Sequence, residues 1–218
     1  MATGSSGDGR AVGGVRFVHP ARLSGANGQP AVGVLLTAPA PWIVRWSHLL
    51  PPNATVLDIA CGGGRHLAWF AARGHSVTGI DRDLASARSA GAPGTLISAD
   101  IENQPWPLTT GDHPQTFGAV VVTNYLWRAL LPTMVKSVAP GGVFLYETFA
   151  SGNETVGRPA RTDFLLKPGE LLTVCKDLQV VAYECGTLEN PLRFVQRIAA
   201  TRPFTSDAGT FPPNHHAL

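Results

Sequence analysis

Apolar residues along this chain fall into short runs that alternate with stripes at helical spacing. Starting at Thr55, the runs include Val56-Leu57, Val77 with Ile80, Leu96-Ile97, Val120-Val121-Val122 and Val143 to Leu145. They predict strands from Thr55, over Val77 to Asp81, Thr95 to Asp100, Phe117 to Asn124 and Val143 to Phe149. The Phe117 run is continuously apolar, as a central strand covered on both faces should be. Between the runs, Leu67, Phe70 and Ala71 stripe a helix that starts near Arg65 and closes at Gly74. Further helices are predicted over Leu84 to Ala90, Leu126 to Val138 and Pro168 to Lys176. Before the first strand, Trp42, Trp46, Leu49 and Leu50 recur at helical spacing, and Pro51-Pro52 ends that helix. Strand alternating with helix predicts a parallel sheet covered on both faces. Leu178 to Tyr183 and Phe194 to Thr201 are the last two strands, and the polar connection through Asn190-Pro191 is short enough to require an antiparallel pair.

The ends differ from the middle. Residues 1–38 are rich in Gly, Ala and Ser and read as a flexible N-terminal arm. Residues 39–204 carry the periodic pattern, and residues 205–218 read as a disordered C-terminal tail. A chain of 218 residues with 44% hydrophobic and 15% charged positions suits one globular domain with a sizeable core. A formal net charge of +2 gives no argument for nucleic acid. No apolar run reaches membrane-spanning length. Cys61, Cys175 and Cys185 show no zinc or disulfide spacing, so no metal is expected and a reducing, cytoplasmic setting is.

The candidate chemistry starts at Thr55-Val56-Leu57-Asp58-Ile59-Ala60-Cys61-Gly62-Gly63-Gly64-Arg65-His66. This is a strand carrying an acid, a glycine turn and a helix start, and the next strand ends in Asp81. Such a unit binds nucleotide-type cofactors. A carboxylate at Asp58, just before the turn, repels a pyrophosphate and suits a positively charged ligand. The third glycine of a dinucleotide fingerprint is also missing, because the positions that would hold it are Leu67 or Arg65.

The stretch resembles the first motif of class I S-adenosylmethionine-dependent methyltransferases, with Ala60 in place of the first glycine. Pro140-Gly141-Gly142 resembles the family's Lys-Pro-Gly-Gly turn, with Ala139 in place of lysine. The likeness covers roughly Trp42 to Pro203. It implies an α/β fold: a three-layer αβα, doubly wound, mostly parallel seven-stranded sheet with the last strand antiparallel. It implies S-adenosyl-L-methionine as cofactor, Asp58, Ala60, Cys61, Gly62 and Gly64 along its amino-acid end, and Asp81 on the ribose hydroxyls. Arg82 would flank the adenosine, Asp100 and Ile101 would meet the adenine, and Asn124 would close the methionine side. Glu147 is the candidate general base, with Tyr125 and Tyr146 as weaker catalytic candidates.

Each residue also has a plainer reading. Asp81 could be a helix cap, Asp100 a turn acid and the glycines a tight turn. Cys61 reads as a packing residue, and His66 as a surface or capping group. Glu147 could pair with Arg158 or Arg161; those arginines would otherwise suit an anionic substrate, or only balance Asp163 and Glu154. The polar loop from Ser151 to Thr162 reads as a lid or substrate wall. Asn124-Tyr125-Leu126-Trp127 lacks the Asn/Asp-Pro-Pro-aromatic motif of many nitrogen methyltransferases, so a small-molecule acceptor is favoured. The alternatives are an S-adenosylmethionine-binding protein without turnover and a nicotinamide-dependent oxidoreductase.

Neither end carries the apolar periodicity needed to offset ordering entropy. Removing residues 1–34 and 207–218 should therefore shift the melting temperature by no more than a few degrees. A collapse in thermal melts of the trimmed protein would mean that an end packs on the domain.

Overall fold

The computed structural model describes residues 37–204. The expected arm, apart from residues 37 and 38, and the expected tail lie outside the described residues. The chain runs α1 (Pro41–Trp46), β1 (Thr55–Ile59), α2 (Arg65–Ala71), β2 (Ser76–Asp81), α3 (Ala85–Ser89) and β3 (Thr95–Ser98). It continues through β4 (Phe117–Thr123), α4 (Leu131–Lys136), β5 (Val138–Phe149), α5 (Glu170–Val174), β6 (Gln179–Leu188) and β7 (Arg193–Thr201). These seven strands form one sheet in the order β3-β2-β1-β4-β5-β7-β6. The neighbours from β3 to β5 are parallel, and β7 runs antiparallel to both β5 and β6.

The alternation of side chains across the pleat divides the core in two. Leu57, Ile59, Val120, Val122, Phe144 and Tyr146 face α4 and α5, where they pack on Met134 and Leu171. Val56, Val121, Val143 and Leu145 face the other way, onto Trp42 and Trp46 of α1 and Leu67 and Phe70 of α2. The indole N–H of Trp42 donates to the Ile198 carbonyl at 3.1 Å and docks α1 against β7. This is the expected three-layer arrangement.

Several elements are shorter or longer than the pattern predicts. The Trp42 to Leu50 helix is α only to Trp46, then a single 3₁₀ turn over Ser47–Leu49. There the Ser47 hydroxyl donates to the Val44 carbonyl at 2.8 Å and competes with the helix ladder. The expected helix over Leu126 to Val138 is a 3₁₀ turn at Arg128–Leu130 followed by α4. Pro132 lacks an N–H and is tolerated only in a first helical turn, so the α-helix starts at Leu131. Helix α5 begins at Glu170 and not at Pro168, because Gly169 sits at φ +72° and breaks the path. Strand β6 extends to Leu188, which pairs with Arg193 and leaves a tight hairpin.

Pro140-Gly141-Gly142 is a bulge inside β5 and not a turn before it. Phe117 pairs with Val138 and Ala119 with Val143, so the pairing advances five residues on β5 for two on β4. Inside the bulge, a Cβ on Gly142 would lie 2.8 Å from the Ala139 carbonyl oxygen and 3.0 Å from that of Phe117. Both neighbours are backbone and cannot rotate away. Gly142→Ala should therefore destabilise the fold by roughly 1–3 kcal/mol, measurable as a lower urea midpoint at unchanged slope. An unshifted midpoint would mean that the bulge is loosely held.

Candidate functional site

The parallel strands β1, β2, β3 and β4 all end at the same edge of the sheet. A cavity of about 650 Å³ opens there, within the range of small-molecule sites. Its floor is the glycine turn after β1. Ala60 adopts φ +55° and Gly62 φ +53°, both left-handed. Alanine pays a steric cost in that region that glycine does not, which is the physical meaning of a glycine at this place in related motifs. At Gly62 and Gly63 the space where a Cβ would stand is open, so a ligand can approach the backbone. Gly64 does different work: it does not line the cavity, and a Cβ there would lie 2.5 Å from the Ala92 methyl. Its role is to let the turn pack on the segment after α3, which corrects the expectation that it meets the ligand.

Asp81 ties this floor to the segment after β2. One carboxylate oxygen accepts the Gly62 N–H at 2.8 Å and the other accepts the Asp83 N–H at 3.0 Å. The cap expected of Asp81 at the next helix falls to Asp83, which accepts the Ala85 N–H at 2.9 Å. Asp81, Arg82, Asp83, Ile101 and Asn124 all line the cavity, as do Ala60, Cys61 and Gly62. Asn124 takes φ +55°, which asparagine tolerates better than most residues. Asp100 also lines the cavity, yet its carboxylate is committed to its own turn. It accepts the N–H groups of Glu102 and Asn103 and the Asn103 side-chain amide at 3.0 Å. The Asn103 bond, more than any charge, holds its pKa below the usual carboxylate value.

Asp58 lies beneath the floor and not in it. It points to the α1–α2 face, is 1% exposed, and has Oδ2 3.5 Å from His66 Nδ1. That oxygen has no hydrogen-bond partner among the described residues. His66 is buried against it and is neither a surface nor a capping group. Its Nε2 accepts the Ala40 N–H at 3.2 Å, so any ring proton sits on the Nδ1 side, toward Asp58. Cys61 is also buried, and burial, with Asp58 and Asp81 nearby, pushes its thiol up to about 12. A thiol so hard to ionise is a packing group, as expected.

The three candidate catalytic residues separate. Tyr125 lines the cavity, and its hydroxyl has no hydrogen-bond partner among the described residues. Burial, and then the Glu102 carboxylate, raise its pKa, so it keeps its proton and acts as a donor. Tyr146 is a core residue: its hydroxyl donates to the Tyr125 carbonyl at 2.7 Å, and it does not line this cavity. Glu147 is 3% exposed and faces the α1 side of the sheet. Its carboxylate meets Arg197 at 3.3 Å and Arg193 at 3.8 Å, and it reaches neither cavity nor Arg158 nor Arg161. Alternation along β5 sends it to the Leu145 face, away from the ligand edge. Arg161 instead pairs with Asp163 at 2.8 Å.

Four cavity residues carry no strong sequence signal. Arg65, first in α2, reaches toward the Ala38 carbonyl and the Thr123 hydroxyl at 3.4 and 3.5 Å. Its place directly after the glycine turn could have marked it. Thr123 is the last residue of β4, and Glu102 sits in the Asp100 turn. Phe164 arrives from a loop far along the chain. Its segment is held by Arg128, which donates to the carbonyls of Asp163 at 2.6 Å and Leu165 at 2.8 Å and to both Glu170 oxygens. The polar loop before it is pinned by buried Asn153, which bonds the Pro159 carbonyl at 3.0 Å and the Phe194 N–H at 3.2 Å.

The charge balance of the cavity is informative. Four acids line it (Asp81, Asp83, Asp100 and Glu102) against two arginines, Arg65 and Arg82. An accessible glycine turn, an excess of acid and an orphaned carboxylate oxygen below it fit a ligand with positive charge and an amino-acid arm. They fit a pyrophosphate poorly. No group of three or more His, Cys, Asp or Glu residues able to hold a metal occurs among the described residues.

Residues 56–142 match the family described as a methyltransferase domain. The malonyl-[acyl-carrier protein] O-methyltransferase of Salmonella typhimurium is 34% identical over 103 residues, 46% of this chain and 41% of that protein. The chain thus spans about two fifths of that curated relative. TehB from Haemophilus influenzae superposes with a TM-score of 0.57 at 21% identity, over 73% of this chain and 61% of that one. A SAM-dependent methyltransferase from Methanosarcina mazei does so at 0.58 and 15% identity, over 78% of this chain and 100% of that one. The domain match over residues 56–142, the strand order and the glycine turn make the chain similar to class I, seven-stranded, Rossmann-like S-adenosylmethionine-dependent methyltransferases, whose fold it shares.

Proposed function

We propose that this chain transfers the methyl group of S-adenosylmethionine to a small-molecule acceptor. The observation that carries the reading is the acid-rich cavity over the glycine turn, bounded by Asp81, Ile101 and Asn124 from successive strand ends. In this reading Asp81 still has lone pairs for the two ribose hydroxyls after binding Gly62 and Asp83. Ile101 packs on the adenine, the Asp100 turn borders its amino edge, and Arg82 flanks the nucleoside. Ala60, Cys61 and Gly62 run along the methionine arm, and Arg65 meets its carboxylate. Asp58 acts from below, by fixing His66 and the start of α2. Asn124 and Tyr125 close the methyl end.

The sulfonium supplies an already activated methyl group, so the residues of this chain mainly position the acceptor and exclude water. Glu147, held by two arginines away from the cavity, takes no part as a base. No described helix is long and apolar enough to cross a membrane. Free thiols at Cys61, Cys175 and Cys185 support a cytoplasmic setting. Titration with S-adenosylmethionine and with NAD, followed by turnover to S-adenosylhomocysteine with cell extract, tests the reading. Binding of NAD in preference would overturn it. S-adenosylmethionine binding without any turnover would leave a binding protein.

Asp81→Ala should weaken S-adenosylmethionine binding at least tenfold by calorimetry, because two charge-assisted hydrogen bonds of roughly 1.5–3 kcal/mol each are lost. The floor loosens as well, through loss of the Gly62 bond. Unchanged affinity would reduce Asp81 to a loop tie.

Glu147→Gln should cost about 2 kcal/mol of stability, since it leaves arginine charge poorly paired at a buried site. Turnover of the folded variant should stay within about threefold, a difference under 1 kcal/mol. A drop of a hundredfold in a variant that melts normally would restore the role of base to Glu147.

A further inference from the structure

A second chamber of about 230 Å³ adjoins the first. The two share Glu102, Asn124, Tyr125 and Phe164, so the second opens where the methyl end of the cofactor would lie. Its size sets the occupant. An apolar cavity of about 150 Å³ holds one benzene, and this volume takes one ring with small substituents. Its shape and lining set the class. Tyr125, Phe149 and Phe164 offer aromatic surface, and Leu126 and Pro159 add apolar walls. Aromatic walls favour a flat ring by offset or edge contacts. The polar residues of the lining are Thr148, Asn124 and Glu102, while the Tyr125 hydroxyl is buried behind the wall.

Charge decides the rest. Among the described residues the wall holds no Lys, Arg or His, and its one ionised group is an acid. Arg161 lies over the Phe164 ring, 5.1 Å from its centroid, but is paired with Asp163 and lines neither chamber. Resting on the function proposed above, we infer that this chamber is the acceptor site. It selects a single-ring aromatic molecule that is neutral or cationic, and rejects an anionic ring. Of the two roles open to Arg161 in the sequence, the pairing with Asp163 is the one that agrees with this selectivity.

With an O–H or N–H nucleophile, the acceptor's lone pair forms the new bond to the methyl carbon. The carbon–sulfur bond breaks and leaves its electron pair on sulfur, giving S-adenosylhomocysteine. The acceptor proton passes to the Glu102 carboxylate and on to water, which Glu102 reaches because its side chain is exposed.

The test is a binding series on the full chain at low salt. S-adenosylhomocysteine is titrated first by calorimetry. Benzamide, benzylamine and benzoate are then titrated by NMR into the saturated protein. Benzamide and benzoate have nearly the same shape and differ in charge. Benzamide and benzylamine should bind about tenfold or more tightly than benzoate, as a nearby like charge at partial exposure implies. Glu102→Gln should bring benzoate within about threefold of benzamide, and Phe164→Ala should weaken all three rings. Equal binding of benzoate and benzamide to the unaltered protein would overturn the proposal, as would a preference that survives Glu102→Gln. If S-adenosylhomocysteine binds and no ring does, the acceptor assignment fails and the proposed function stands. If S-adenosylhomocysteine itself does not bind, both fail.

Discussion

The 2.8 Å hydrogen bond from the Gly62 N–H to the Asp81 carboxylate ties the turn after β1 to the end of β2. It works beside the 3.0 Å bond from the Cys61 N–H to the Ile80 carbonyl, so the left-handed pair Ala60 and Gly62 is held to β2 from two successive amides. With it, the floor of the larger cavity has one shape. The same carboxylate also fixes the Asp83 N–H, so the start of the α3 segment is set by the group that sets the floor. A charge-assisted bond at a half-buried position suits this duty, being shorter and stronger than a neutral one. The cavity is therefore organised around one carboxylate before any ligand arrives.

The pleat distributes the remaining chemistry. Asp58 and Glu147 fall on the α1–α2 face of β1 and β5, where the first meets His66 and the second meets Arg193 and Arg197. Tyr146 falls on the opposite face and anchors the Tyr125 backbone. Residues at the strand tips, by contrast, turn toward the ligand edge. A strand-end acid and an acid one or two residues further back thus have different fates. The first is available to a ligand, and the second is a structural charge that must find a partner inside.

This difference explains what could be read from the sequence. The strand–helix alternation, the antiparallel ending and the glycine turn were legible because each follows from local periodicity or turn chemistry. Asp81, Ile101 and Asn124 were legible because they lie at or just past strand ends. Glu147 reads as a strand-end group although the expected strand already runs to Phe149; two residues short of that end, the pleat turns residue 147 inward onto Arg193 and Arg197. His66 gave no sign of burial because its neighbour across the turn, Ala40, is far away in sequence. Phe164 was invisible for the same reason, although the Ser151 to Thr162 loop that carries Pro159 was expected to be a lid or substrate wall: which residue of a loop meets a cavity depends on tertiary pins such as Asn153, which leave no periodic trace.

Arg128 touches neither chamber, yet four of its hydrogen bonds hold the segment that carries Phe164 to Glu170 at the start of α5. The aromatic wall shared by both chambers is thus hinged on a clamp remote from the groups that would handle the methyl. Divergence can act on the two separately. Exchanges in residues 153–165 can retune which ring is admitted while the glycine floor and its carboxylate tie stay as they are. A lineage built on this plan could acquire new acceptors by rewriting one loop, with the clamp keeping each new version in register.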